Sequence, residues 1–272
     1  MPNQDAAFAG SIPAIYDRCL GPLLFEGYAA DLARRAAVLC PSNILETAAG
    51  TGIVTAALAR AVPQARIVAT DLNQAMLDVA AKRVTEGTVQ FQPADAQALP
   101  FNDSSVDLVV CQFGVMFFPD RIGAYQEAFR VLCPGGTFLF NAWDSLGSNP
   151  VPRLVEQAVA AMFPDDPPGF LARTPYGYHD HTAIADDLSA AGFVGIEILN
   201  VVLPSRAPQA RSAAIGFCHG SPLRAEIEAR DASRLDEAAN RATDAIERVY
   251  GTGPLEATIA ANIVTAHKPG IL

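Results

Sequence analysis

Short β-branched runs alternate with stretches of helical periodicity from residue 43 onward. "NILETA" precedes the helix pattern "IVTAALARAV", and "ARIVATD" precedes "QAMLDVAAKRV", where Asn73 is placed to cap the helix. "TVQFQPAD" and "SVDLVVCQF" read as third and fourth strands. "DRIGAYQEAFRVL" is a helix that "CPGG" should close with a turn, before a fifth strand "GTFLFNAW". This βαβ rhythm predicts an α/β protein with a doubly wound, mostly parallel sheet.

Beyond Trp143 the rhythm breaks. Residues 144–181 carry prolines, glycines and aromatics around one helix at about 154–163, a composition expected of a lid insertion. "HTAIADDLSAAG" resumes as a helix, "FVGIEILNVVL" as a sixth strand and "LEATIAANIVTAHK" as a seventh, with a mainly helical stretch at about 208–250 between the two strands. Upstream, "SIPAIYDRCL" and "FEGYAADLARRAAVL" form two helices that "GP" should separate. The expected organisation is a single domain over 1–272: an N-terminal helical cap (1–42), a ligand-binding core (43–143), a lid (144–181) and a C-terminal part (182–272).

Composition narrows the partners. Half of the 272 residues are apolar and the formal charge is -10, against the cationic surface that nucleic-acid binding usually needs. The five cysteines show no CxxC pair or metal-ligand spacing, so no metal site is expected and a reducing cytoplasm fits. The longest apolar run, residues 108–118, is too short to insert in a membrane. These features favour a small-molecule partner. They leave the oligomeric state open, with a homodimer as one option.

The chemistry concentrates in "ILETAAGTGIVTAALA". Gly50 and Gly52 let backbone approach a ligand where a strand gives way to a helix N-terminus, a favourable seat for a phosphate or a carboxylate. No lysine stands between Glu46 and Arg60, which argues against a P-loop, and Thr55 replaces the third glycine of a dinucleotide fingerprint. Glu46 would repel a pyrophosphate but hold an ammonium group. Asp71, closing the second strand, suits ribose hydroxyls, and Asp95, after the third, suits an adenine amino group with the Ala96 N–H beside it. An amine, a carboxylate and a ribose without phosphate describe S-adenosylmethionine.

"ILETAAGTG", "VATDLNQAMLDVA", "FQPADAQALPF", "VDLVVCQFGVMFFPD" and "RVLCPGGTFLFNAW" stand in family order and spacing. With them the sequence resembles the class I S-adenosylmethionine-dependent methyltransferases, in the branch of ubiquinone and menaquinone biosynthesis methyltransferases. The resemblance implies the seven-stranded, Rossmann-like methyltransferase fold. It places Glu46, Ala48, Gly50 and Gly52 around the methionine part of the cofactor, Asp71 on the ribose, Leu72 and Met76 against adenine, and Asp95 and Ala96 at its edge. The Cys111 carbonyl would meet the cofactor amine beside Gln112, and Tyr16 would close over the cofactor. Ala48 departs from the family, which often has glycine there.

Phe113, Phe117, Trp143, Tyr176 and Tyr178 are candidates to line an apolar acceptor pocket. His179 and His219 are candidate general bases if the acceptor must lose a proton. The expected activity is methyl transfer to a small, partly apolar or aromatic acceptor. The alternatives are an NAD(P)-dependent oxidoreductase on the same type of sheet and a non-catalytic S-adenosylmethionine-binding protein.

Overall fold

The structure is a computed structural model, described here over residues 12–270. Seven strands form one sheet: β1 (Asn43–Glu46), β2 (Arg66–Asp71), β3 (Val89–Pro93), β4 (Val106–Gln112), β5 (Leu132–Trp143), β6 (Val194–Ala207) and β7 (Leu255–His267). Their order is β3-β2-β1-β4-β5-β7-β6. β1 pairs in parallel with β2 and β4, as do β2 with β3 and β4 with β5, whereas β7 runs antiparallel to β5. Strand order reverses between β1 and β4, the place where open parallel sheets bind ligands beyond their carboxyl ends.

The central strands read as continuous apolar runs because both faces are covered. Ile44, Leu45, Ile67, Leu108, Val109, Val110, Phe138 and Phe140 are all buried. The helices are α1 (Ile12–Ile15), α2 (Glu26–Val38), α3 (Ile53–Ala61), α4 (Gln74–Arg83), α5 (Arg121–Val131), α6 (Pro150–Ala160), α7 (Phe170–Arg173), α8 (His181–Ala190), α9 (Ala210–His219), α10 (Leu223–Asp231) and α11 (Leu235–Tyr250). Asp120 caps α5 by accepting from the Gly123 N–H, and Asp180 caps α8 by accepting from Thr182 and Ala183.

The chain divides into two compact units. One comprises Tyr28–Trp143, Tyr178–Val201 and the chain from Ala261, and it holds β1 to β5 with α2 to α5 and α8. The other comprises the described chain before Tyr28, Asp144–Gly177 and Val202–Ala260. In that helical unit α11 packs on α6 and α9, and Gly216 gives α9 close approach to the N-terminal helix: a Cβ there would lie 2.6 Å from Leu20 Cδ2.

Four local expectations are corrected. The "GP" pair does not separate two helices, since a π-type helical segment over Tyr16–Phe25 joins α1 to α2. Pro22 has no N–H to donate, and the wider turn absorbs it, with the Glu26 N–H reaching back to the Gly21 carbonyl. "CPGG" is not a turn outside the sheet; it lies within β5, as an irregularity where the register steps from Val106↔Leu132 to Leu108↔Thr137. Gly135 takes φ +81° there, and Gly135 and Lys268, then Lys268 and Gly136, exchange N–H···O bonds of 3.0 and 2.9 Å. Asn73 stands at the start of α4 but makes no capping bond; its side chain turns to Asp71. The helix expected at 154–163 begins at Pro150, because prolines fit a first turn that needs no N–H.

Candidate cofactor and acceptor site

Glu46 is the last residue of β1 and is 1% exposed. Its carbonyl accepts from the Thr70 hydroxyl at 2.9 Å, and the next amides tie the loop to both neighbouring strands: Thr47 N–H to Val110 O and Ala49 N–H to Thr70 O, each 2.9 Å. The chain then folds back through three left-handed residues, Ala48 (φ +52°), Gly50 (φ +56°) and Gly52 (φ +77°). Gly52 is required twice over, since a Cβ there would stand 2.8 Å from Ala80 Cβ on α4. Gly50 is required only for its dihedral, because its nearest neighbour would be Met76 Cε at 3.7 Å. Ala48 holds the same kind of conformation with a side chain, a strain of about 1–2 kcal/mol.

Asp71 fastens the loop from the second strand. Its Oδ2 accepts from the Gly50 N–H at 2.9 Å and its Oδ1 from the Asn73 N–H at 2.8 Å. Arg83 adds a bond from Nε to the Thr51 carbonyl at 3.0 Å. The helix that follows starts at Ile53 with no side-chain cap, so its first amides point out at the loop. That arrangement is chemically suited to a carboxylate.

The electrostatics of this corner are unusual. Burial, with Asp71 nearby as a further cause, pushes the Glu46 carboxyl up from 4.5 to about 8. Thr55, in the first turn of α3, lies close enough to offset part of that rise, yet its hydroxyl and Glu46 Oε2 both stay without a hydrogen-bond partner of normal geometry among the described residues. Burial also raises Asp71, opposed by the amides of Asn73 and Gly50. Two buried carboxyls, one with an orphaned oxygen, fit a cationic guest and not a pyrophosphate.

The ends of β2 and β3 are more open. Leu72 is 63% exposed, whereas Met76 is buried under the glycine loop. Asp95 Oδ1 accepts from the Gln97 N–H at 2.9 Å, closing a turn that leaves Ala96 half-buried beside it. Leu72 therefore offers an apolar face to solvent at the end of β2, and the Asp95 turn presents polar groups after β3.

Across the strand-order switch, Phe113 follows β4 with φ +51°, and its N–H donates to Asn141 Oδ1 at 2.9 Å. Its ring stacks on Trp143 with centroids 3.4 Å apart, and Tyr28 meets both rings edge-on. Gly114 then passes so close to the first loop that a Cβ would lie 2.5 Å from Ala48 Cβ and 2.7 Å from Cys111 Sγ. The turns after β1 and β4 thus interlock. Cys111 is fully buried, and burial pushes its thiol up to about 12, so it stays protonated and inert. Gln112 beside it is half-buried, and Phe117 sits half-buried in the following 3₁₀ turn.

The remaining candidates sit as follows. Tyr178 is buried, its hydroxyl donating to Asp187 Oδ2 at 2.8 Å and accepting from Tyr125 at 3.3 Å, with the Arg121 guanidinium over its ring. These bonds anchor it to α5 and α8. His179 is exposed, and its backbone carbonyl accepts from buried Asn262 at 3.2 Å. In the helical unit, the Tyr16 ring stacks on Phe25 at 4.9 Å and Tyr176 is buried. His219 ends α9 with Nε2 3.4 Å from Asp236; burial lowers its pKa more than Asp236 raises it. The sequence reading missed Thr55 and Asn141. A polar residue inside the apolar run "FLFNAW" was the available signal for Asn141.

The sheet with its ligand-binding switch and the acid-lined glycine loop define a nucleoside-cofactor protein of the Rossmann-like kind. Comparison with known proteins carries this further. A methyltransferase-domain family matches residues 45–140. Demethylmenaquinone methyltransferase of Clavibacter sepedonicus is 30% identical over 214 residues, covering 74% of this chain and 86% of that protein. Among solved structures, the YcgJ protein of Bacillus subtilis superposes with a TM-score of 0.59 at 20% identity, over 90% of this chain and all of that one. Phosphoethanolamine N-methyltransferase 2 of Haemonchus contortus, solved with S-adenosyl-L-methionine, gives 0.59 at 18% identity, over 94% of this chain and 56% of that one. The chain belongs to the class I S-adenosylmethionine-dependent methyltransferases, in the branch of ubiquinone and menaquinone biosynthesis methyltransferases. It is a methyltransferase whose cofactor is S-adenosylmethionine, which sets aside the nicotinamide alternative.

Proposed function

We propose that this enzyme methylates a small, partly apolar or aromatic acceptor. Glu46 would hold the cofactor amine, the first amides of α3 its carboxylate, and Asp71 the ribose hydroxyls. Asp95 and Ala96 would read the adenine edge, with Leu72 as the exposed apolar cover and Met76 as the floor beneath Gly50. The Cys111 carbonyl and Gln112 border the amine from β4. The single observation that carries the reading is the buried Glu46 carboxyl, whose Oε2 lacks a partner among the described residues.

When bound, S-adenosylmethionine supplies a methyl group activated by its sulfonium. The chain's own part is alignment and exclusion of water, effects able to supply on the order of 7–11 kcal/mol without a catalytic acid or base. The interlocked turns at Ala48 and Gly114 hold the two sides of the switch in fixed register. Phe113 and Trp143, with Phe117 and Tyr178, would form the apolar surroundings of the acceptor. For an acceptor that must lose a proton, His179 is the candidate base in the sheet-bearing unit; His219 remains a candidate only by its sequence position.

Calorimetric titration with S-adenosylhomocysteine tests the cofactor site. Asp71→Ala should weaken binding by roughly 10- to 100-fold, the equivalent of one or two charge-assisted hydrogen bonds. Unchanged affinity would overturn the ribose assignment. Transfer of a labelled methyl group to a component of a small-molecule extract tests the acceptor class, and labelling confined to protein or nucleic acid would refute it.

A further inference from the structure

Asn141 is wholly buried on β5, in register with Gln112 of β4. Its carboxamide has two ends with separate tasks. The Phe113 N–H can only donate, so the end facing it at 2.9 Å is the oxygen. That bond, with a second from the same N–H to the Asn141 carbonyl at 3.2 Å, pins an aromatic residue in the left-handed region. Bulky side chains adopt that conformation only under constraint, and such constraints cluster at functional sites. The other end, Nδ2, is thereby fixed in direction, and among the described residues it has no hydrogen-bond partner. Buried donors are nearly always paired.

The position of this donor identifies its partner. Glu46, Asp71 and Asp95 line the carboxyl ends of β1, β2 and β3, one half of the switch, where the proposed function seats the cofactor. Asn141 belongs to the other half, over β4 and β5. It shares a sheet face with Trp143, two residues along the strand, and with Gln112, its register partner. Gln112 is only half-buried and lies beside Asn141 on the neighbouring strand, so the cofactor edge and the proposed acceptor seat adjoin there.

We propose that Asn141 Nδ2 is the hydrogen-bond donor that orients the methyl acceptor, by binding an acceptor oxygen (phenolic, enolic or carbonyl) beside the Phe113–Trp143 stack. This rests on the methyltransferase site described above and deepens it: the acceptor carries an oxygen next to its apolar body, and a purely hydrocarbon surface is discriminated against. Oδ1 positions Phe113, and Nδ2 binds.

The test uses the full chain labelled with 15N-asparagine. The Asn141 side-chain amide is assigned as the NH2 pair lost in Asn141→Asp, which keeps an acceptor for the Phe113 N–H, and again in Asn141→Leu. Protein saturated with S-adenosylhomocysteine is titrated with 1-naphthol and with naphthalene, probes that differ by one oxygen. Naphthol should shift the Asn141 pair and bind about tenfold tighter than naphthalene, with the preference abolished in Asn141→Leu. Equal affinities, a preference that survives in Asn141→Leu, or no naphthol-dependent shift would overturn the proposal, as for a donor satisfied by a buried water. A shift produced by S-adenosylhomocysteine alone would overturn it too, by assigning the donor to the cofactor. If a variant fails to fold, the wild-type shift and the affinity pair still decide. Failure of S-adenosylhomocysteine to bind at all is a separate result, and it would refute the cofactor reading.

Discussion

With Glu46 on the cofactor amine as proposed, cofactor binding should release a proton from its carboxyl. In the empty protein burial holds this carboxyl at about 8, so at pH 7 it is about nine-tenths protonated. An ammonium placed against Oε2 favours the carboxylate, so the bound state must eject that proton. Below pH 8 the affinity for S-adenosylhomocysteine should therefore fall by up to tenfold per unit, leaving it about 50-fold weaker at pH 6 than at pH 8. Calorimetry at pH 7 in buffers of different ionisation heat should report about 0.9 proton released per ligand. Glu46→Gln should flatten this dependence and weaken binding at pH 8 by about 1.5–3 kcal/mol, the worth of a charged hydrogen bond. The same shift has a stability signature of defined sign. A carboxyl raised from 4.5 to about 8 stabilises the fold fully below pH 4.5, and that contribution is lost as pH rises through 8. The full loss is on the order of 5 kcal/mol. Glu46→Gln should accordingly unfold at a higher denaturant midpoint than the native protein at pH 8, with the advantage shrinking toward pH 4.5. Asp71 is shifted in the same direction, so any pH slope remaining in Glu46→Gln belongs to it. An affinity that stays constant from pH 6 to pH 8, with heats independent of buffer, would refute the reasoning.

The interlocked turns give two further expectations. Ala48→Gly removes a left-handed alanine whose strain is about 1–2 kcal/mol, partly offset by the entropy glycine adds to the unfolded chain, so a net gain of about 0.5–1 kcal/mol should appear in the denaturant midpoint. A loss of stability would mean that the methyl packing on Gly114 outweighs the strain. Gly114→Ala inserts a Cβ 2.5 Å from that methyl and should cost about 1–3 kcal/mol, with weaker S-adenosylhomocysteine binding. The cost should shrink when Ala48→Gly is added, and strict additivity in the double-mutant cycle would contradict the interlock.

Most of the sheet was legible because parallel strands covered on both faces must be apolar throughout, which leaves runs such as "VDLVVCQ" little else to be. The errors fell where a local breaker was read without its surroundings. Pro22 and Pro134 do remove amide donors, but a π-type segment absorbs the first through a local five-residue bond, and an irregularity in β5 absorbs the second through Lys268, a neighbour distant in sequence. The same limit governed the site. Charges at strand ends announced themselves, since Glu46 and Asp71 end the apolar strands β1 and β2 and Asp95 follows β3. Thr55 registered only as a departure from a dinucleotide fingerprint, whereas in the fold it lies close enough to the buried Glu46 carboxyl to oppose its upward shift. The missing third glycine and the acid at the end of β1 are therefore one feature: the helix begins with a polar side chain where a pyrophosphate would require bare backbone, and it does so beside the buried Glu46 carboxyl. Ala48 belongs to the same logic. Its methyl fills the space that Gly114 leaves empty, so alanine at one position and glycine at the other form a single packing solution. That pairing joins residues 66 positions apart, and neither residue alone discloses it.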